Sequence, residues 1–312
     1  MSAVRTEPPT EPPTGAPAAP PSRPRPARGP VRRRSFGPRG RRGRNLVANL
    51  TGVVAFLFFA FPVYWMITTS FKPQLDILSY PPKFLPWPLT FEHFGRAVDR
   101  PLFGTYVRNS LVVTLTVVLL SLTFGLLGAL AVGRFSFRGR RPYLLAVLIV
   151  QMAPFEALLI PFFLMFRTLD LLNKLPGLIL IYFIFTMPFT IWTLRGFVTA
   201  VPRELEEAAM VDGASRGQAF RRVVLPLLAP GLVATSIFAF VTAWNEFLYA
   251  YVFMDQSRWT LPVWIGSFRT AFGTDWGGTM AASTLFTLPV LVFFLIIHRR
   301  LVSGLTAGSV KG

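Results

Sequence analysis

Two carboxylates, Glu156 and Glu246, lie inside long apolar runs, and a charged segment at 200–226 separates two such runs. These are the places where the chain could do chemistry. There is no cysteine, so disulfides, thiolate metal sites and a thiol nucleophile are excluded. His93 and His298 are the only histidines, which leaves no material for a His-based triad or a multi-His zinc site. A G-x-x-x-x-G-K-[ST] phosphate loop needs a lysine in a glycine-rich context, and Lys72, Lys83, Lys174 and Lys311 all lack it. No carboxylate–histidine proton relay is visible in the apolar runs. The sequence therefore predicts no catalytic residue, no metal site and no nucleotide site in this chain.

The carboxylates point instead to passage of a polar solute. A charge at membrane depth costs about 2.5–3.5 kcal/mol or more, so it faces protein or water. Glu246 sits in Trp244-Asn245-Glu246-Phe247, an aromatic and amide cluster of the kind that hydrogen-bonds polar solutes. Two roles fit these residues. Glu156, Trp244, Asn245 and Glu246 line a solute pathway or its outer gate, or Glu156 makes an interhelical polar contact while Glu246 lies at the membrane interface.

The elements that must position them are membrane spans. Of 312 residues 52% are hydrophobic and only 15% charged, and the mean hydropathy is +0.50. Soluble domains carry about 25% charged residues, so an ordinary soluble enzyme is excluded. A span needs about 20 predominantly apolar residues. Six stretches qualify: 46–69, 109–133, 142–166, 175–194, 227–253 and 279–297. The expected fold is all-α, a polytopic membrane protein of six helices spread over 45–312. Residues 1–44 are rich in Pro, Ala, Gly and Arg. They cannot bury enough surface to offset ordering entropy, and a disordered tail is expected. The first apolar run starts near Leu46, too late and too long for a signal peptide.

Lys and Arg set the orientation. With the N-terminus inside, inner segments hold 23 of them and outer segments 9. The loop 134–141 has four arginines and no acid. Both termini are expected in the cytoplasm, with the Arg-rich tail acting as a retention signal against anionic lipid headgroups. The formal net charge of +18 is explained by this distribution, and nucleic acid is not an expected partner. The excess of 28 Arg over 4 Lys reads as a weak sign of a GC-rich genome.

Gly125, Ala129 and Gly133 recur every four residues in the second span. Small residues at that spacing let two helices approach closely in lipid. Pro62, Pro154, Pro161, Pro188 and Pro289 lie within spans; together such bends suit a cavity-lining bundle.

The segment 200–226 reads as a helix–turn–helix elbow. Pro202 suits a first helical turn, and Glu204, Glu206 and Glu207 favour the positive end of its dipole. Asp212-Gly213 ends the helix. Ser215 and Gln218 make a capping box for a second short helix, and Pro226 marks the turn back to the membrane. A stiff elbow of this kind can transmit force from a partner. The other reading is an amphipathic loop on the membrane surface.

Glu207-Ala208-Ala209, three residues, Gly213, nine residues and Val223-x-Leu225-Pro226 resemble the EAA loop of ABC importer permeases. The spacing of the family's EAA-x3-G-x9-I-x-LP is met throughout, with Val223 in place of isoleucine. Residues 304–312 and the Trp244–Phe247 cluster resemble maltose-type sugar permeases. The resemblance covers about 46–312. It implies one of two related permease subunits, an ATPase dimer that carries ATP and Mg, and an extracytoplasmic solute-binding protein, in a bacterial cell membrane. It implies that Glu207 pairs with a basic residue of the ATPase, that Ala208 and Ala209 allow close approach, that Gly213 makes the turn with Asp212 beside it, and that Leu225 and Pro226 close the motif. The tail 304–312 would also reach the ATPase. The outer loop 254–278 would enter the binding protein's cleft, where Trp259, Trp264, Phe268 and Trp276 could stack on sugar; an interfacial aromatic belt is the other reading for them. The implied mechanism is alternating access. The alternatives are a permease of the same build for another polar solute, and a stand-alone channel or membrane enzyme, which leaves the elbow without a purpose.

Overall fold

The structure, a computed structural model, describes residues 38–308, with side chains over 46–297. Most of the tail 1–44 and the end of 304–312 therefore lie outside the described residues, as do the side chains of His298 and of all of 304–312. The chain divides into two compact units, which meet in sequence at Leu57 and Phe58. The described part of the first unit is helical, and its large apolar side chains from Leu46 to Leu57 are exposed.

Helix α1 is Pro38–Ser70. Its first residues, 38–44, fall in the stretch expected to be disordered. Arginine is a good helix former, and a helix already nucleated by a span extends at one hydrogen bond per residue. After α1 come the short α2 (Gln74–Ile77) and α3 (Glu92–Val98). Next is the long α4, Phe103–Arg134. The third apolar run folds as α5 (Arg140–Met152), a 3-10 turn (Phe155–Leu158) and α6 (Leu159–Thr168). Helix α7 is Leu175–Ala200, longer than the expected span 175–194.

The elbow holds α8 (Arg203–Val211), α9 (Arg216–Ala219), a π turn (Phe220–Val224) and α10 (Leu225–Leu227). The fifth run gives α11 (Ala229–Asn245) and α12 (Leu248–Phe253). Helix α13 is Leu261–Gly266, followed by a two-residue antiparallel hairpin in which Arg269 faces Thr274. Helix α14, Trp276–Gly308, starts before the expected 279 and continues past 297.

Two expected spans are broken. The run 142–166 is bent by 91° between α5 and the 155–168 segment. Pro154 has no N–H to donate, and Ala153 before it is extended (φ −65°, ψ 131°), as a residue preceding proline prefers. The run 227–253 stops at Asn245, where Glu246 is extended (φ −68°, ψ 128°). A second bend of 67° separates 216–227 from α11. By length and composition, α1, α4, α7 and α14 can each cross a membrane, and six spans result if each bent pair is one crossing.

Helices α4 and α7 form the centre. A Cβ on Gly125 would lie 2.4 Å from Thr190 Cγ2, and one on Gly133 would lie 2.6 Å from Val198 Cγ1. The small residues of α4 thus admit α7, as their spacing predicts. Ser121 and Thr186 share a buried hydrogen bond of 2.6 Å across the same seam. Near the elbow, Ala129, Leu194, Val198, Val201, Val224 and Leu228 form one buried cluster. At α3, His93 Nε2 donates to the Lys72 carbonyl (2.8 Å), and a Cβ on Gly277 of α14 would lie 2.3 Å from the imidazole.

Candidate functional site

The elbow is capped at both halves. Helix α8 carries Glu204 and Glu206 in its first turn, favourable to its dipole, with Pro202 in the N-cap position just before it. At its C-terminus Gly213 has φ +91°, which only glycine takes without a Cβ penalty. Ala214 N–H donates to Ala209 (3.0 Å) and Gly213 N–H to Met210 (3.1 Å), the paired bonds of a Schellman motif. Ser215 N–H donates to Gln218 Oε1 (2.9 Å), and Gln218 N–H donates to Ser215 Oγ (3.4 Å). The capping box read from the sequence is therefore present.

Pro226 does not make the turn expected of it. It sits within a helical run that continues to Leu227, and the axis bends at Leu228. The π turn at Phe220–Val224 lies just before Pro226, where the missing N–H would otherwise leave an α-helical carbonyl unpaired.

The elbow is rooted in the bundle. Arg203 Nη2 donates to the carbonyl of Arg134 at the end of α4 (2.6 Å). Val224 and Leu228 are buried against α4 and α7, and a Cβ on Gly231 would lie 2.6 Å from the ring of Phe197. The tip faces outward: Glu207, Ala208, Asp212 and Gly213 are exposed, Ala209 and Leu225 are half-buried, and Val211 is 87% exposed. An exposed carboxylate beside an exposed small apolar face suits docking into a partner's cleft.

The second constellation is at the two helix breaks. Glu246 is half-buried, and its carboxylate accepts from Tyr249 N–H (2.8 Å), from Ala250 N–H (3.2 Å) and from the Tyr182 hydroxyl. It therefore caps α12 and ties it to α7. Tyr249 Oη donates to the carbonyl of Phe155 (2.6 Å), which brings the second break against the first. Phe155, Phe162, Phe185 and Tyr249 pack around this junction, with Phe155 and Phe185 ring centroids 4.3 Å apart. Glu156 and Asn245 are exposed beside it. Trp244 is 1% exposed, stacks on Phe240 and Phe286, and donates to the Phe286 carbonyl (3.3 Å). Its ring is enclosed by these neighbours. Tyr182 and Tyr249 were not among the residues expected from sequence. Their signal was a buried carboxylate in need of donors.

The outer loop is also more buried than expected. Trp264 and Phe268 are 2% and 1% exposed and pack edge to face at 5.1 Å. They belong to the core, because each aromatic ring buries a large apolar area. Trp259 is half-buried and donates to the Met254 carbonyl (3.2 Å), while Trp276 is 43% exposed. Among the described residues no cluster of His, Asp or Glu could hold a metal ion.

Residues 121–307, which contain the elbow and the second break, match the family described as binding-protein-dependent transport system inner membrane component. The chain belongs to this family. It is an ABC transporter permease, a transport component. It is 52% identical over 265 residues to the diacetylchitobiose uptake system permease protein DasC of Streptomyces coelicolor, covering 85% of this chain and 96% of the relative. It is 38% identical over 254 residues to the trehalose transport system permease protein SugB of Mycobacterium tuberculosis, covering 80% and 92%. The trehalose/maltose transport system permease protein MalG of Thermococcus litoralis is 36% identical over 256 residues, covering 81% and 91%. The permease also shares its fold with a chain of a bacterial ABC transporter that imports alginate (TM-score 0.67, 23% identity, 85% of this chain and 98% of that one). A related chain was solved with a pentasaccharide-bound periplasmic protein (TM-score 0.62, 18% identity, 82% and 93% covered).

Proposed function

We propose that this permease is the sugar-conducting subunit of a binding-protein-dependent ABC importer, that it crosses the bacterial cell membrane six times, and that both its ends lie in the cytoplasm. The observation that carries the reading is the elbow, a doubly capped lever with an exposed Glu207 tip and a root buried between α4 and α7. The uptake relatives named for saccharides support sugar as the cargo.

In this reading the tip docks on an ATPase dimer, which binds ATP and Mg and does the hydrolysis. Glu207 pairs with a cation there, Ala208 and Ala209 allow close approach, and Gly213 with Asp212 shapes the tip. Leu225 and Pro226 carry the motion toward α11. Each of the two broken runs, α5 with α6 and α11 with α12, is one crossing. A second permease completes the pathway, and a solute-binding protein meets the outer face near the half-buried Trp259 and the exposed Trp276.

Glu156 and Asn245 at the helix breaks contact solute, while Glu246 holds the break open by capping α12. Broken helices can place main-chain polar groups at membrane depth where these line a cavity. Nucleotide and loaded binding protein must both favour the outward-open state differentially, since a ligand with equal affinity for two states shifts neither.

The test is uptake of labelled saccharides by cells lacking this chain. Loss of uptake of at least one disaccharide or oligosaccharide, restored by the wild-type gene, is expected. A stable complex with an ATPase and a second permease is expected on purification. Unchanged uptake of every saccharide tried, with no ATPase retained, overturns the reading.

A further inference from the structure

The inner end of α4 carries a cation with unmet hydrogen-bonding capacity. Arg134 closes α4, and its Nε and Nη2 are buried without a hydrogen-bond partner. An unpaired buried donor is costly, and more so when it is charged. Arg134 lines a cleft of about 350 Å3 beside the elbow. Leu130, Phe220 and Val224 supply apolar wall, and Arg203 of α8 and Arg216 of α9 add two more guanidinium groups. Glu206 and Glu207 border the same cleft, yet no ion pair joins them to the three arginines among the described residues. The adjoining loop carries Arg138, Arg140 and Arg141 with no acid, and its Phe135 and Phe137 are 64% and 46% exposed.

We propose that this cleft holds the headgroup phosphate of an anionic phospholipid of the inner leaflet, with Arg134, Arg203 and Arg216 around it. The inference rests on the elbow lying on the cytoplasmic side. A guanidinium matches phosphate oxygens in a planar, charge-assisted fork. Basic pockets between spans on the cytoplasmic side bind such headgroups. The apolar wall continues from α4, a spanning helix, so an acyl chain has a surface to follow from the membrane. An acidic side chain of the ATPase is the less suitable occupant, because Val211 at the tip, 87% exposed, rather than the root at Arg134, is the part of the elbow that stands outward to meet it. A phosphate here bridges α4 to both halves of the elbow and stiffens the lever at its root.

The experiment uses the whole transporter, this permease with its paired permease and ATPase. It is placed in nanodiscs of phosphatidylcholine, or of phosphatidylcholine mixed with phosphatidylglycerol, in phosphate-free buffer. Native mass spectrometry reads retained lipid, and coupled ATP hydrolysis is followed in parallel. Wild type retains phosphatidylglycerol over phosphatidylcholine. Arg134→Gln lowers that retention about tenfold, Arg134→Lys recovers part of it, and Arg138→Gln leaves it unchanged. Arg216→Gln provides the same readout should Arg134→Gln fail to assemble.

Equal retention of phosphatidylglycerol by wild type, Arg134→Gln and Arg216→Gln overturns the proposal. Dissociation of the ATPase from Arg134→Gln in every lipid, with retention unchanged, also overturns it and assigns the cleft to the ATPase. A wild-type permease that holds no ATPase at all counts against the proposed function instead, while retention by the permease itself still decides the lipid site.

Discussion

Tyr249 donates its phenolic hydrogen to the main-chain carbonyl of Phe155 across 2.6 Å, and so fastens one broken helix to another. The carbonyl follows Pro154, and the hydroxyl belongs to the short α12 capped by Glu246. Tyr249→Phe removes this bond without opening a cavity. We expect a loss of about 1 kcal/mol in stability and a larger relative fall in saccharide uptake. Thermal unfolding of the purified complex and uptake in cells separate the two effects.

Glu246→Ala leaves the N–H groups of Tyr249 and Ala250 and the Tyr182 hydroxyl without their acceptor. A loss of about 1–3 kcal/mol is expected. Glu246→Gln keeps one carbonyl oxygen as an acceptor, and its loss is expected to be smaller. Unfolding temperatures in a common detergent rank wild type above Gln above Ala if the carboxylate is chiefly a cap. Equal unfolding temperatures for wild type and Ala would deny it that role.

Glu207→Lys reverses the charge at the exposed tip while leaving the caps of both elbow helices in place. Association with the ATPase is expected to weaken at least about tenfold, with membrane insertion unaffected. Co-purification and cargo-stimulated ATP hydrolysis measure it.

Gly213→Val places a β-branched side chain at φ +91°. The backbone penalty is about 1–2 kcal/mol, with Gly213→Asn costing less because asparagine tolerates this region. Faster amide hydrogen exchange across 203–219 in the valine variant is the expected observation.

Lys72 is 1% exposed, its ammonium lies 3.8 Å from the centre of the Trp65 ring, and no hydrogen bond reaches Nζ. Burial holds its pKa below the ordinary 10.5, against an opposing pull from Asp76. The folded protein therefore binds this proton less tightly than the unfolded chain does. Between the lowered pKa and 10.5 the unfolded form carries more protons, so stability rises with pH there. Lys72→Met is expected to stabilise the protein at neutral pH and to flatten that alkaline rise, as read from unfolding temperature against pH.

Local signals survived folding well. The elbow caps at Gly213 and Ser215 follow from chain chemistry within a few residues, and the small-residue seam of α4 follows from a four-residue spacing. Breaks inside apolar runs were less legible. Hydropathy alone does not register that Pro154 removes a donor next to an extended Ala153, nor that Glu246 turns its carboxylate onto the following helix. The burial of Trp244, Trp264 and Phe268 was hidden for another reason. An aromatic ring has the same composition whether it faces a pathway or a neighbouring helix, and only tertiary packing decides. Tyr182 and Tyr249 likewise gain meaning only from partners far away in sequence, and Arg134 from the cleft it lines.

The seam between Gly125 or Gly133 and Thr190 or Val198 leaves no room for large side chains to slide over one another. In the proposed mechanism helices α4 and α7 would therefore travel as a single plank. In the proposed mechanism the pliable joints are then left to Leu228 and to the kinks near Pro154 and Glu246, so a push on the elbow would be steered by where the chain is crooked and not by where it is straight.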